Sequence, residues 1–382
     1  MSNAAVADKA PEPNSSDVVE LPTPAAEPEK RIVRAASPNA QKAMNVLDVL
    51  GLGFINPFIR LAYGEDPRAQ FKQLLLVLVT PILAIIVFLM AWSAGANSIE
   101  TRLGKIPGPV AVAEQAGALW TDHKGIMVEK KEFETKYAAK NKERVAAGKS
   151  PIKFTGKETF IQQIWLSIKT VFLGFFIATV IAVPVGVFCG MNKWFNSAMN
   201  PLIQVFKPVS PLAWLPIVTL VISALYAGES LFGLAAATLE GLGFTQPLVI
   251  SALVVTLCSL WATLINTAHG VSSIDKDLLN VAQVLKLKPM EKVTKIILPS
   301  SLPLIFTGLR LSLGVGWMVL IAAEMLAQNP GLGKFVWDEF QNGSSTSLAR
   351  ILVAVLTIGI IGFLLDRLMY TLQAVFTFSD KR

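Results

Sequence analysis

At 382 residues, with 53% hydrophobic and only 16% charged side chains and a mean hydropathy of +0.53, the chain is too apolar for two or three soluble domains and reads as a polytopic membrane protein. Its net charge of +7 comes from basic residues dispersed among apolar runs, not from a basic patch interleaved with aromatics, so nucleic acid is excluded as a partner. Cys189 and Cys258 sit inside apolar runs, and His123 and His269 are far apart, which leaves neither a disulfide framework nor a metal cluster.

Residues 1–43 are rich in Ala, Pro, Glu and Ser and are expected to be a disordered tail; they lack the basic start and apolar core of a cleavable signal. Residues 44–72 are apolar but interrupted by Asp48, Gly51, Gly53 and Pro57, a pattern for an interfacial helix rather than a crossing. A crossing needs about 20 apolar residues. The first such run is QLLLVLVTPILAIIVFLMAW, within 73–93, and the next five, in a core spanning 160–377, run from Ile164 to Met191, Asn200 to Tyr226, Pro247 to Ala268, Leu302 to Leu326 and Ile351 to Phe376. The expected fold class is therefore an all-α membrane protein with six spans.

Between the first two spans, 94–159 forms an outer-side insert in which a charged helix is expected from Lys130 to Ala147, either a solvated lid on the outer mouth or a docking surface for a substrate-delivering protein. Lys193, the lysines of 275–299 and the last residues, 378–382, mark the cytoplasmic side, whereas the connection 227–246 has no Lys or Arg; both termini should face the cytoplasm. The lysines of the insert do not overturn this, because long loops translocate largely regardless of charge.

Within 275–299, Leu278, Ala282 and Leu285 recur at helical spacing with Val281 beside them, while Asn280, Gln283 and Lys286 point elsewhere. Asp275 and Asp277 suit the positive end of this short amphipathic helix, Pro289 stops it, and Glu291 opens a second helix running towards Pro299. In the third span, KPVSPLAWLPIVTL contains Pro208, Pro211 and Pro216, each lacking a backbone donor, so the helix must break; broken backbone at membrane depth points to a pathway or to a kink made for packing.

No G-x-x-x-x-G-K-S/T loop occurs, and GLGK at Gly331 to Lys334 has neither the spacing nor the following hydroxyl, so ATP is not bound in that way; nor is there a G-x-S-x-G elbow. The chain reads as non-catalytic, with no cofactor of its own. Ionisable residues inside spans cost a few kcal/mol and face partners or water. They are Lys169, Lys207, Arg310, Glu324, Asp366 and Arg367. Asp366 and Arg367 suit a solvated cytoplasmic end, Lys169 an outer end, and Arg310 and Glu324 are too far apart on one helix to pair. Lys207, at the broken span, is the best placed to attract an anion. Gly308, Gly314 and Gly316 are expected to allow close helix approach.

The amphipathic helix followed by a helix start and I-x-L-P resembles the coupling loop of ABC-importer permeases, with Asn280, Val281 and Ala282 where the family has E-A-A and Lys286 where it has Gly. LLNVAQVL, KPVSPLAWLP and GLGKFVWDEF resemble the nitrate, nitrite and cyanate branch; TGLR at Arg310 resembles a segment of the wider superfamily, and KIPGPVAV one that follows the first span in related permeases. The resemblance implies a type I importer fold in the bacterial inner membrane, a second permease copy, two cytoplasmic ATPase subunits that bind ATP and Mg, and a periplasmic or lipid-anchored substrate-binding protein. It implies that Leu278, Leu279, Asn280, Val281, Ala282, Gln283, Leu285, Lys286 and Pro299 couple to the ATPase, with closure pressing on Leu279, Val281, Ala282 and Leu285. Lys207, Ser210, Trp214, Arg310 and Glu324 are the pathway candidates. The implied cargo is a small inorganic anion, nitrate first, then nitrite or cyanate; sulfonate, taurine or bicarbonate import is the alternative within the superfamily. A gradient-driven secondary transporter would need inverted repeats and intramembrane carboxylates.

Overall fold

The computed structural model describes residues 53–378 apart from 65–66, 102–103, 150–151, 153, 228–240 and 242, together with Ala40, Gln41, Met44 and Leu47. The expected tail lies almost wholly outside the described residues, as do 379–382. Ala40 and Met44 pack against Ile59 of α1 (Asn56–Ala62), a short helix ahead of the first crossing.

Among the described residues, five helical stretches are long and apolar enough to cross a bilayer, and a pair of helices bent at a short break makes a sixth when counted as one span. The first comprises α2 (Pro67–Leu74), a π turn (Leu75–Val79) and α3 (Thr80–Ser98), and so begins earlier than the apolar run alone implies. Pro81 explains the π turn. Proline lacks a donor and its ring clashes with the carbonyl four residues back; widening the preceding turn relieves the clash. Thr80 Oγ1 donates to the Leu75 carbonyl at 3.1 Å. The same device precedes Pro299, where a π turn at Val293–Ile297 joins α10 (Pro289–Lys292) to α11 (Leu298–Ala327). The fifth crossing therefore runs unbroken from Pro289 to Ala327. Within this chain, α3 leaves most of its apolar surface uncovered, Phe88 and Met90 included.

After a two-residue antiparallel ladder (Glu100–Thr101 with Gly104–Lys105), α4 runs from Pro109 to Ala146. The charged helix expected from Lys130 is thus the distal part of one continuous 38-residue helix. Gly117 and Gly125 cost about 1 kcal/mol each relative to Ala, too little to interrupt it. Val112 and Leu119 near its start join the core, and Arg350 ties it to the bundle through Asp122 at 3.5 Å and Gln115 at 3.3 Å. Beyond, Phe154 of the returning chain meets Phe133 at 5.5 Å.

The bundle centres on α5 (Phe160–Met191), α8 (Gln246–Ser272) and α11. Thr159 caps α5 reciprocally with Gln162. Gly174, Ala178, Ala182, Gly186 and Gly190 recur every fourth residue and lie along one face of α5, which lets α8 approach closely. A Cβ on Gly174 would lie 2.6 Å from the Ala252 carbonyl oxygen, and one on Gly186 2.6 Å from Thr267 Cβ. Gly308 of α11 has the same role, since its Cβ would lie 2.8 Å from Asn266 Cβ, whereas one on Gly314 would meet nothing within 4 Å. The expectation of close packing therefore fails at Gly314. The third crossing divides into α6 (Lys193–Phe206) and α7 (Pro211–Ala227), bent by 101°. Beyond α8 come α9 (Lys276–Val284), α10 and α11, then α12 (Leu332–Asn342), which covers the far end of α5, and α13 (Ser345–Phe378).

Candidate functional site

The coupling segment is built by its caps. Asp275 accepts the Asp277 N–H at 3.0 Å and starts α9. At the other end, the Lys286 N–H donates to the Gln283 carbonyl at 3.0 Å and the Leu287 N–H to the Ala282 carbonyl at 3.1 Å, the paired closure of a helix ending in a left-handed residue. That residue is Lys286, at φ +49°. The chain therefore makes the turn suited to the Gly of the resembling family with a lysine, at a cost of roughly 1–2 kcal/mol for an L side chain.

The cap fixes which face of α9 is presented. Leu278, Val281, Val284 and Leu285 stand out as an apolar ridge, with Val284 81% exposed. Asn280 and Gln283 are also exposed, whereas Leu279 and Pro299 are half-buried. Ala282, expected on the docking face, is 3% exposed and faces inward. A helix lying on a surface must bury one face, and α9 buries the face carrying its smallest side chain.

The break follows from Pro208 and Pro211. Ser210 Oγ accepts the Leu212 N–H at 3.3 Å, which begins α7 with Pro211 in its first turn. Phe206 lies between two indoles, 5.7 Å from Trp214 and 6.2 Å from Trp261. Lys207 is exposed and shares a cavity of about 350 Å³ with Gly190, Asn200, His269 and Ser272. These include residues at the ends of α5 and α8 that lead towards α9, so Lys207 lies near that end of the bundle.

Arg310 and Asp366 meet across α11 and α13 in a bidentate pair, with Arg310 Nη2 2.7 Å from Asp366 Oδ2. The guanidinium also lies over the Tyr370 ring, 5.6 Å from its centroid. Asp366 is thus not simply a solvated end residue.

Glu324 has a different setting. It is fully buried and accepts from Ser167 Oγ at 2.8 Å and from the Gly333 N–H at 3.0 Å. Ser167 Oγ accepts the Leu332 N–H at 2.8 Å. The pair therefore caps α12 and binds it to α5, which places Glu324 in a buried contact between helices. Sequence reasoning missed Ser167, because a lone serine in an apolar run carries no pattern. Lys169 approaches the Gly243 carbonyl at 3.4 Å, in the half of α5 remote from α9.

A family model for the binding-protein-dependent transport system inner membrane component matches residues 182–376, just over half of the chain, including the break, the coupling segment and the Arg310–Asp366 pair. The chain belongs to this family. The bicarbonate transport system permease protein CmpB of Synechococcus elongatus is 33% identical over 81% of this chain and 94% of its own length. The nitrate import permease protein NrtB of the same organism is 34% identical over 54% of this chain and 66% of its own. Among solved structures, the MetNI methionine ABC transporter shares 15% identity at a TM-score of 0.45, covering 57% of this chain and 96% of that one. The permease is accordingly the non-catalytic membrane component of an ABC importer. Membership implies, in general terms, ATPase and substrate-binding partners.

Proposed function

We propose that the permease carries a small inorganic oxyanion, nitrate or bicarbonate, inward across the membrane, driven by ATP hydrolysis in its partners. The carrying observation is the apolar ridge Leu278, Val281, Val284 and Leu285 on an otherwise lysine-rich segment. Such a surface fits a groove in a second protein. Two copies of the chain, each with an ATPase on its α9, complete the machine, and both termini lie on the ATPase side. A substrate-binding protein docks at the opposite mouth, where α4 and α12 meet the bundle.

Each ATPase cycle moves α9, and α10 and α11 follow because the helix continues through the π turn before Pro299. The α6–α7 break absorbs part of the motion. Lys207, Ser210, Trp214 and Arg310 are the proposed pathway residues. Support for an anion comes from the two relatives, from two cations, Lys207 and Arg310, that line cavities, and from the KPVSPLAWLP segment, which favours nitrate.

The test is uptake by the complete complex in liposomes, with labelled nitrate and labelled bicarbonate supplied separately. ATP-dependent accumulation of one of them is expected. Failure to move either anion would refute the cargo class, and equal uptake without ATP would refute the coupling.

A further inference from the structure

The Arg310–Asp366 pair lies where a bilayer tolerates it poorly. Both residues lie inside stretches long and apolar enough to cross a bilayer, Arg310 in Pro289–Ala327 and Asp366 in Ser345–Thr377. Yet the two side chains are 38% and 41% exposed in the chain, opening onto a groove of about 680 Å³ whose other polar members are Thr307, Tyr370 and Gln373. Acyl chains cannot solvate such a surface, so water or polar protein must cover it. Gly314 supports the wet alternative, because a glycine with nothing within 4 Å of its missing Cβ keeps the groove open rather than closing a helix contact.

Resting on the reading of this chain as an anion permease, we propose that Arg310 is the seat for the cargo anion and that Asp366 is a tethered competitor which fills that seat at rest. The carboxylate lies fork-on to the guanidinium through both of its oxygens. Nitrate and bicarbonate are planar and present two oxygens in the same way, so either can replace Asp366 without moving the arginine. Tyr370 holds the guanidinium in place by its ring face, and Gln373 is fixed to Thr307 at 3.3 Å, which leaves Asp366 as the charged group that must yield. Being tethered, the carboxylate competes at high effective concentration. The seat stays closed until α11 and α13 separate. The pair thereby prevents anion leak when the motor is idle.

The experiment measures passive nitrate efflux from liposomes containing the purified full-length chain without nucleotide. Asp366→Asn should raise efflux on the order of tenfold, Asp366→Glu should keep it near the wild-type rate, and Arg310→Gln combined with Asp366→Asn should remove the excess. Unchanged efflux in Asp366→Asn, or an equal rise in potassium efflux, would overturn the latch. If Asp366→Asn cannot be purified, the exchanged pair Arg310→Asp/Asp366→Arg keeps the attraction but moves the cation. It should stay sealed and lose ATP-driven uptake in the complex, and wild-type uptake would overturn the assignment to Arg310. The leak assay needs no ATP, so its outcome is separate from a failure of the wild-type complex to import either anion.

Discussion

Ser167 and Glu324, 157 residues apart in sequence, meet at 2.8 Å in a fully buried contact that joins the second crossing to the fifth and caps the helix beyond. Replacing Ser167 with Ala would strip the carboxylate of one donor and leave the Leu332 N–H without its acceptor. A buried hydrogen bond to a charged group is worth about 1.5–3 kcal/mol. The variant should therefore unfold at a lower temperature in detergent, with the ATPase still bound at permissive temperature. An unshifted thermal midpoint would show that the contact contributes nothing.

The exposed ridge of α9 separates docking from folding. Leu278→Asp, Val281→Asp and Leu285→Asp together should weaken ATPase binding by about two orders of magnitude, as expected when apolar hot spots of around 2 kcal/mol or more are lost. Circular dichroism and the elution profile of the chain alone should not change. Ala282→Asp should instead impair the chain itself, because that side chain is buried. Normal ATPase recovery with the triple variant would place the interface elsewhere.

Lys286 stands at φ +49°, so the cost of substitution there depends on backbone preference more than on charge. Lys286→Gly should hold or slightly raise thermal stability, the gain in the turn being offset by the glycine's own chain entropy. Lys286→Val should lower it by about 1 kcal/mol or more, since a β-branched residue is poorly accommodated at positive φ. Equal melting of the two variants would mean that the turn relaxes.

Glycines of one type should behave oppositely in two places. Gly174→Ala drives a methyl group against the Ala252 carbonyl and Val255, and overpacking of this kind costs roughly 1–3 kcal/mol. Gly314→Ala meets nothing within 4 Å and, as a helix-interior glycine replaced by a better helix former, should gain up to about 1 kcal/mol in the purified chain. Measuring both melting points under one condition checks the pair; a larger loss at Gly314 would contradict the packing described.

Much of the candidate site is legible in the sequence because its signals are local. The amphipathic spacing of Leu278, Ala282 and Leu285 predicts α9, and the prolines of KPVSPLAWLP predict the broken helix pair. The burial of Ala282 escapes this reasoning because helical spacing marks an apolar face but not which part of it turns inward. The insert's helix starts well before its charged stretch, since an apolar start and a charged end look like different elements while hydrogen bonding runs through both.

Composition, helical period and proline position act within a few turns, and they suffice to show that the chain forms apolar helices long enough to cross a membrane, with a short amphipathic helix between the fourth and fifth. That Arg310 answers to Asp366, and Glu324 to Ser167, is visible only once the chain is folded. Those pairs depend on the relative height and rotation of helices far apart in the chain. The small-residue packing of α5 on α8, and of α8 on α11, fixes that geometry and no local pattern encodes it.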